Sequence, residues 1–172
     1  MSNYRRFYQN GGCYFFTVVT HHHRHIFQTN ENIQILRESF KKIMVQRPFQ
    51  IDAIVVLPDY LHCVWILPEN DVDFSTRWRL IKRYFSVRMS APLNKRGEKK
   101  IWQRRFWEHL IKDDNDLHRH MDYIHYNPVK QGYVRRPEEW EYSSYRRQVV
   151  LGPCSQLHEN AALEKIENMN FE

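Results

Sequence analysis

IDAIVVLPDYLHCVWIL, residues 51–67, is two apolar runs separated by a Pro-Asp-Tyr break. Runs of this length, rich in Val, Ile and Leu and bounded by turn residues, read as strands rather than helices. Pro58 and Asp59 suit a tight turn, so 51–57 and 61–67 are expected to be neighbouring antiparallel strands joined through Pro58-Asp59-Tyr60. In the second run His62, Val64 and Ile66 point to one face, and Leu61, Cys63, Trp65 and Leu67 to the other. His62 is therefore a polar group on an otherwise apolar strand, directly after a turn. It is either a hydrogen-bonded structural histidine or a rigidly mounted ligand.

Upstream, Gly11-Gly12 marks a turn and 13–20 (CYFFTVVT) reads as a buried strand. Asn30 is the expected cap of a helix over 31–46, whose apolar positions Ile33, Leu36, Phe40, Ile43 and Met44 follow helical spacing, and Pro48 enforces its end. Downstream, a helix over 75–89 carries Trp78, Ile81, Phe85 and Met89 as its apolar stripe, with Arg77, Arg79, Lys82, Arg83 and Arg88 on its other faces. Residues 92–100 (PLNKRGEKK) form a basic loop, and 101–111 read as strand in two pieces. A further helix starts at Asp114 or Asn115 and ends near Asn127, where Pro128 stops it and Gly132 enters a turn. The order strand, helix, strand, strand, helix, strand, helix implies an α+β sandwich of ferredoxin-like type with a central antiparallel sheet. Residues 1–150 are expected to form the domain and 151–172 a C-terminal tail, in which 161–167 could form a short helix.

Lysine and arginine outnumber aspartate and glutamate 26 to 20, a net charge of +6, which favours a polyanionic partner. Phe, Trp and Tyr make up 15% of the chain, and many lie beside arginine: YRRFY, RWRLIKRYF, WQRRFW and WEYSSYRR. Arginine meets phosphate while aromatic faces stack on unpaired bases, so the repeated pairing points to nucleic acid rather than to core filling alone. The expected DNA contacts are Arg5 and Arg6, then Arg77, Arg79, Lys82 and Arg83, the loop 95–100, and Arg104 with Arg105. No apolar run is long enough to cross a bilayer and the opening residues hold no apolar signal region, so a cytoplasmic protein without a membrane partner is expected. Cys13, Cys63 and Cys154 are widely spaced and form no CxxC pair, which argues for thiols rather than a cysteine-bound metal, and Cys13 and Cys63, in strand-like contexts, read as buried. The run HHHRH at 21–25 could be a metal site, but reads better as a polar loop after the first strand.

The segment DLHRHMDYIHYNPVKQGYV, 116–134, places Leu117, Met121, Ile124 and Pro128 on one side of a helix and Asp116, His120, Tyr123 and Asn127 on another. Spacing alone leaves the polar stripe open between an active-site face and a solvated one. Taken together and in order, GGCYFFTVV, VVLPDYLHCVWILP, FSTRWRLIKRYF, IWQRRFWEH, HMDYIHYNPVKQGYV and WEYSSY resemble the REP-associated tyrosine transposases, a group within the single-tyrosine HUH transposases. The resemblance spans roughly residues 4–147.

It implies a ferredoxin-like core with the histidine strand central and a helix that brings one tyrosine to a metal. Residue by residue, Tyr123 matches the nucleophile, and Asn127 and His62 match metal ligands. The family's first histidine falls at position 60, where this chain has Tyr60; His120 is a substitute candidate. The implied cofactor is Mg2+ or Mn2+, and the implied partners are single-stranded and hairpin DNA, with a monomer favoured over a homodimer. The implied activity is single-strand DNA cleavage and strand transfer through a 5′-phosphotyrosine. The alternative is a hairpin DNA-binding protein whose catalysis is impaired by Tyr60.

Overall fold

The computed structural model describes residues 6–97 and 99–151; Arg5, Cys154 and the tail, with its expected helix at 161–167, lie outside the described residues. Strands β1 (Cys13–Val19), β2 (Gln50–Val56), β3 (Tyr60–Ile66) and β4 (Trp107–Leu110) form one sheet in the order β2-β3-β1-β4. Every neighbouring pair is antiparallel. Helices α1 (Asn30–Gln46), α2 (Phe74–Arg88) and α3 (Asp114–Lys130) complete the expected order, and a short α4 (Tyr145–Leu151) follows. The α+β architecture is the one read from the sequence, and β3 is central. Among the described residues no helix is long and apolar enough to cross a membrane.

Alternation in the strands divides the core in two. Tyr14, Phe16, Val18, Leu61, Cys63 and Trp65 turn to the face covered by α1 and α2. Phe15, Ala53, Val55 and Val64 turn to the other face, where Met121 and Ile124 of α3 meet them. The larger layer is aromatic: Trp65 stacks on Trp78 with centroids 4.3 Å apart, and Phe16, Phe40 and Phe49 surround the pair. Burying each such ring contributes roughly 1.5–3 kcal/mol, so this layer anchors the sheet.

Local details depart from the expectations. Thr29, not Asn30, caps α1, accepting from the Asn32 N–H through its side chain. Tyr60 belongs to β3 rather than to the turn, which the Leu57 N–H closes onto the Tyr60 carbonyl at 2.8 Å. A bulge at Asp52 shifts the phase of β2, so Ile51 shares a face with Ile54 and Val56. Of 101–111, only Trp107–Leu110 pairs as a strand; Trp102 makes a single bridge to Thr20. Pro128 lies inside α3 instead of ending it. The missing N–H forfeits one ladder bond, but the turn closes regardless: Gln131, Gly132 and Tyr133 donate to the carbonyls of Asn127, Val129 and Pro128.

After α3 the chain returns along β2. Val56 N–H donates to Tyr142 O, Ser144 N–H donates to Ile54 O, and Trp140 Nε1 donates to Val56 O. This strap occupies the outer edge of the sheet. His125 of α3 sits against it, with Nε2 at 3.1 Å from Ser144 Oγ.

Arg77 corrects a charge-based expectation. It is 1% exposed and donates to the carbonyls of Arg47, Asp73 and Pro48 and to the Asp71 carboxylate. A guanidinium spent this way ties α2 to the end of α1 and is closed to DNA. Arg77→Ala is expected to lower stability in urea unfolding by roughly 3 kcal/mol or more, since the partners are left unpaired. Exposed Arg79→Ala should change it by less than about 0.5 kcal/mol.

The pH profile follows from His125 and His62, both buried. Burial pushes each imidazole down to about 4, against an opposing pull from Asp122 on His125 and from a hydrogen bond at Phe16 on His62. Between about 6.5 and 4 the unfolded chain therefore binds more protons than the folded one. Stability should be full above pH ~6.5 and fall as pH drops toward ~4, by roughly 3 kcal/mol per histidine. Urea unfolding across that range checks this; a flat profile would mean that both rings accept protons in the folded protein.

Candidate active site

β1 and β3 pair with Thr17 opposite His62, and α3 lies across this face of the sheet. His62 is 4% exposed, and its Nδ1 lies 2.8 Å from Thr17 Oγ1. Its ring centroid is 5.2 Å from that of Tyr123 and 5.0 Å from that of Tyr60. One helical turn beyond Tyr123, Asn127 is 1% exposed and accepts a 2.8 Å hydrogen bond at Oδ1 from the Tyr60 hydroxyl. The structure thus brings Tyr60 and His62 of β3 together with Tyr123 and Asn127 of α3, Tyr60 and Asn127 being 67 residues apart in sequence.

Tyr123 differs from its neighbours in being 42% exposed, with Lys130 Nζ 5.3 Å from its ring centre. It borders a cavity of about 440 Å³ lined also by Phe15, Thr17, Trp107, Arg119 and His120. Phe15 is the common neighbour, 5.3 Å from His62, 4.7 Å from His120 and 6.1 Å from Tyr123 by ring centroids. The cavity combines an exposed phenol, a cationic side chain and aromatic walls, a set able to hold a phosphate next to a base.

A divalent ion at this point would draw its ligands from His62 and Tyr60 of β3 and Asn127 of α3. His62 Nε2 is buried without a hydrogen-bond partner, as is Asn127 Nδ2. With the proton on Nδ1, the His62 Nε2 lone pair is free for a cation. Asn127, however, directs its oxygen to the Tyr60 hydroxyl. Burial first, then the nearby Tyr123 and Asp59, raise the Tyr60 phenol well above its ordinary range, so it stays protonated and donates. One imidazole, an engaged amide oxygen and a neutral phenol do not fit an ion held by three protein ligands.

His120 is not placed with this group alone. His109, Asp116 and His120 converge, with His109 Nε2 at 2.8 Å from Asp116 Oδ2 and His120 Nδ1 at 3.2 Å from Asp116 Oδ1. Among the described residues these three form a His–Asp–His group able to hold a metal ion. Sequence reasoning placed Asp116 and His120 on one helix face but missed His109, because no local spacing links a strand residue to a helix. Arg119 and Trp107 were also missed as cavity residues. Arg119 stands one helical turn before Tyr123, a spacing that could have flagged it.

The expected DNA contacts separate by exposure. Arg79, Arg83, Arg104 and Arg105 are exposed. Arg6 is half-buried, paired with Glu108 at 3.1 Å and 4.7 Å over the Phe106 ring. Lys82 donates to the Gln103 carbonyl at 3.0 Å, and burial pushes its ammonium down to about 8. The 21–25 run is a polar turn, in which His22 and His23 adopt positive φ and His23 Nδ1 lies 2.7 Å from Asp59.

Residues 10–127 match the family described as Transposase IS200 like. A REP-associated tyrosine transposase of Escherichia coli (strain K12) is 46% identical over 152 residues, covering 88% of this chain and 87% of its own length. A solved structure of a REP-associated tyrosine transposase bound to a REP hairpin superposes with a TM-score of 0.78 at 42% identity, over 94% of this chain and 96% of the other. The chain belongs to the IS200-like transposase family, among its REP-associated tyrosine members.

Proposed function

We propose that the protein is a hairpin-DNA transposase that cuts and rejoins single-stranded DNA through Tyr123. The observation that carries this reading is an exposed tyrosine, in ring contact with a buried histidine, on the wall of a cavity that also presents Arg119. The relative of TM-score 0.78, bound to a REP hairpin, supports the hairpin as the substrate class. In the reaction the Tyr123 oxygen attacks phosphorus and loses its proton. The bond from phosphorus to the 3′-oxygen breaks, and that oxygen takes up a proton, leaving a 5′-phosphotyrosine and a free 3′-OH. The linkage conserves the phosphodiester, so a second 3′-OH can reverse the step on a new strand. Exposed Arg79, Arg83, Arg104 and Arg105 suit the hairpin backbone, and Trp107 suits an unpaired base. Magnesium or manganese is the cofactor class that goes with this reading, a need that Tyr60, His62 and Asn127 do not meet. The strap along β2 and the brevity of β4 favour a monomer, and action on DNA goes with a place in the cytoplasm.

A second reading is favoured by the Tyr60–Asn127 hydrogen bond: a hairpin binder with impaired cleavage. The two separate in one assay, with a labelled palindromic hairpin carrying a single-stranded flank, manganese or magnesium, and a denaturing gel. Under the first reading a covalent adduct forms and is lost in Tyr123→Phe. Tight binding without adduct supports the second, and Tyr60→His should then restore cleavage by tenfold or more, on the order of what one ligand-shell change is worth.

Hairpin affinity should fall steeply with salt. Arg79→Ala and Arg83→Ala should each weaken binding across all sequences and flatten the log–log salt slope by about 1. Arg77→Lys, if folded, should leave that slope unchanged.

A further inference from the structure

We propose that His109, Asp116 and His120 bind one transition-metal dication of the zinc, cobalt or manganese class, in the wall of the cavity that Tyr123 borders. Their ligand atoms all lie within 4.8 Å of one another. An ion about 2.0–2.2 Å from each ligand needs them roughly 3.3 Å apart, so a small adjustment seats it. The closest pairs already stand at 2.8 and 3.2 Å.

The group is held from several sides. His109 comes from β4, while Asp116 and His120 lie on successive turns of α3. Asp116 Oδ2 also accepts the Lys112 N–H at 3.0 Å. His120 Nδ1 also lies 2.8 Å from the Asp116 carbonyl, a contact the ring gives up when Nδ1 takes the ion. The two imidazoles stack 4.7 Å apart, with Trp107 on one side and Phe15 on the other. All three side chains are partly exposed, which leaves an entry path and open coordination positions.

The ligand chemistry sets the class of ion. Two imidazoles and one carboxylate suit zinc, cobalt or manganese, whereas magnesium and calcium favour an all-oxygen shell. One negative charge and two neutral rings leave a bound dication with net positive charge, able to attract a phosphate. The competing account is a hydrogen-bonded clasp that pins β4 to α3 and ignores metal. Only the consequence, a cation beside the nucleophile, rests on the Tyr123 reading; ion binding itself does not.

The test uses the full chain freed of metal by chelation. Co2+ is titrated by its visible absorption and Zn2+ by calorimetry. One equivalent should bind, and His109→Gln and His120→Gln should each weaken it by at least about tenfold, with circular dichroism confirming the fold. His62→Gln should leave it within about twofold, and Tyr123→Phe should keep the cobalt spectrum even if no DNA is ever cut. Should the glutamine variants unfold, Mn2+ added to the unaltered protein should broaden the NMR signals of Trp107, His109 and His120 before those of His62. The proposal is overturned by no binding up to about 1 mM. It is equally overturned by binding indifferent to both glutamine variants, or by binding lost when His21, His22 and His25 are replaced.

Discussion

β1 and β3 run antiparallel with Thr17 opposite His62, and the site depends on that register. A slip of one residue would turn His62 toward the aromatic layer and Cys63 toward α3, because side chains alternate strictly across a strand. The register is protected by what lies on the opposite face. Phe16 and Trp65 pack there with Trp78 and cannot be moved to the α3 face without emptying the larger core. The chemistry-bearing face is thus positioned by residues that never touch it. Met121 and Ile124 then seat α3 in the cluster with Val55 and Val64, which brings Tyr123 and Asn127 over the strand.

Tyr60 alters this face without disturbing it. Its hydroxyl satisfies the Asn127 oxygen, a good arrangement for a buried amide. The cost falls on ion binding at that point, since a protonated phenol donates where a ligand must accept. His62 meanwhile keeps a buried nitrogen without a partner. The face is well packed yet incompletely satisfied, a pattern more typical of functional sites than of purely structural ones.

Much of the architecture was legible because periodicity carries it. The runs at 51–57 and 61–67 are direct consequences of strands buried on both faces, and the stripe of Trp78, Ile81, Phe85 and Met89 of a helix buried on one. The bulge at Asp52 was not legible, because one extra residue in a strand leaves no mark on composition. Arg77 was misread for a different reason: an arginine satisfied by carbonyls and one facing phosphate have the same letter and similar neighbours. Tyr123, Asn127 and His62 were placed by resemblance to a family, and the helix spacing was consistent with it. His109 had no such support, since its meeting with Asp116 depends on how β4 turns into α3.

The strap of residues 142–144 along β2 has a meaning beyond architecture. A bare seven-residue strand such as β2 offers a ladder of unpaired amides and carbonyls to any other extended chain. Here that ladder is occupied by the protein's own later residues, which are synthesised after every strand of the sheet. Until they arrive, a nascent chain holds its sheet with a raw edge and is at its most prone to aggregate. The closing segment therefore acts as a built-in guard against self-association.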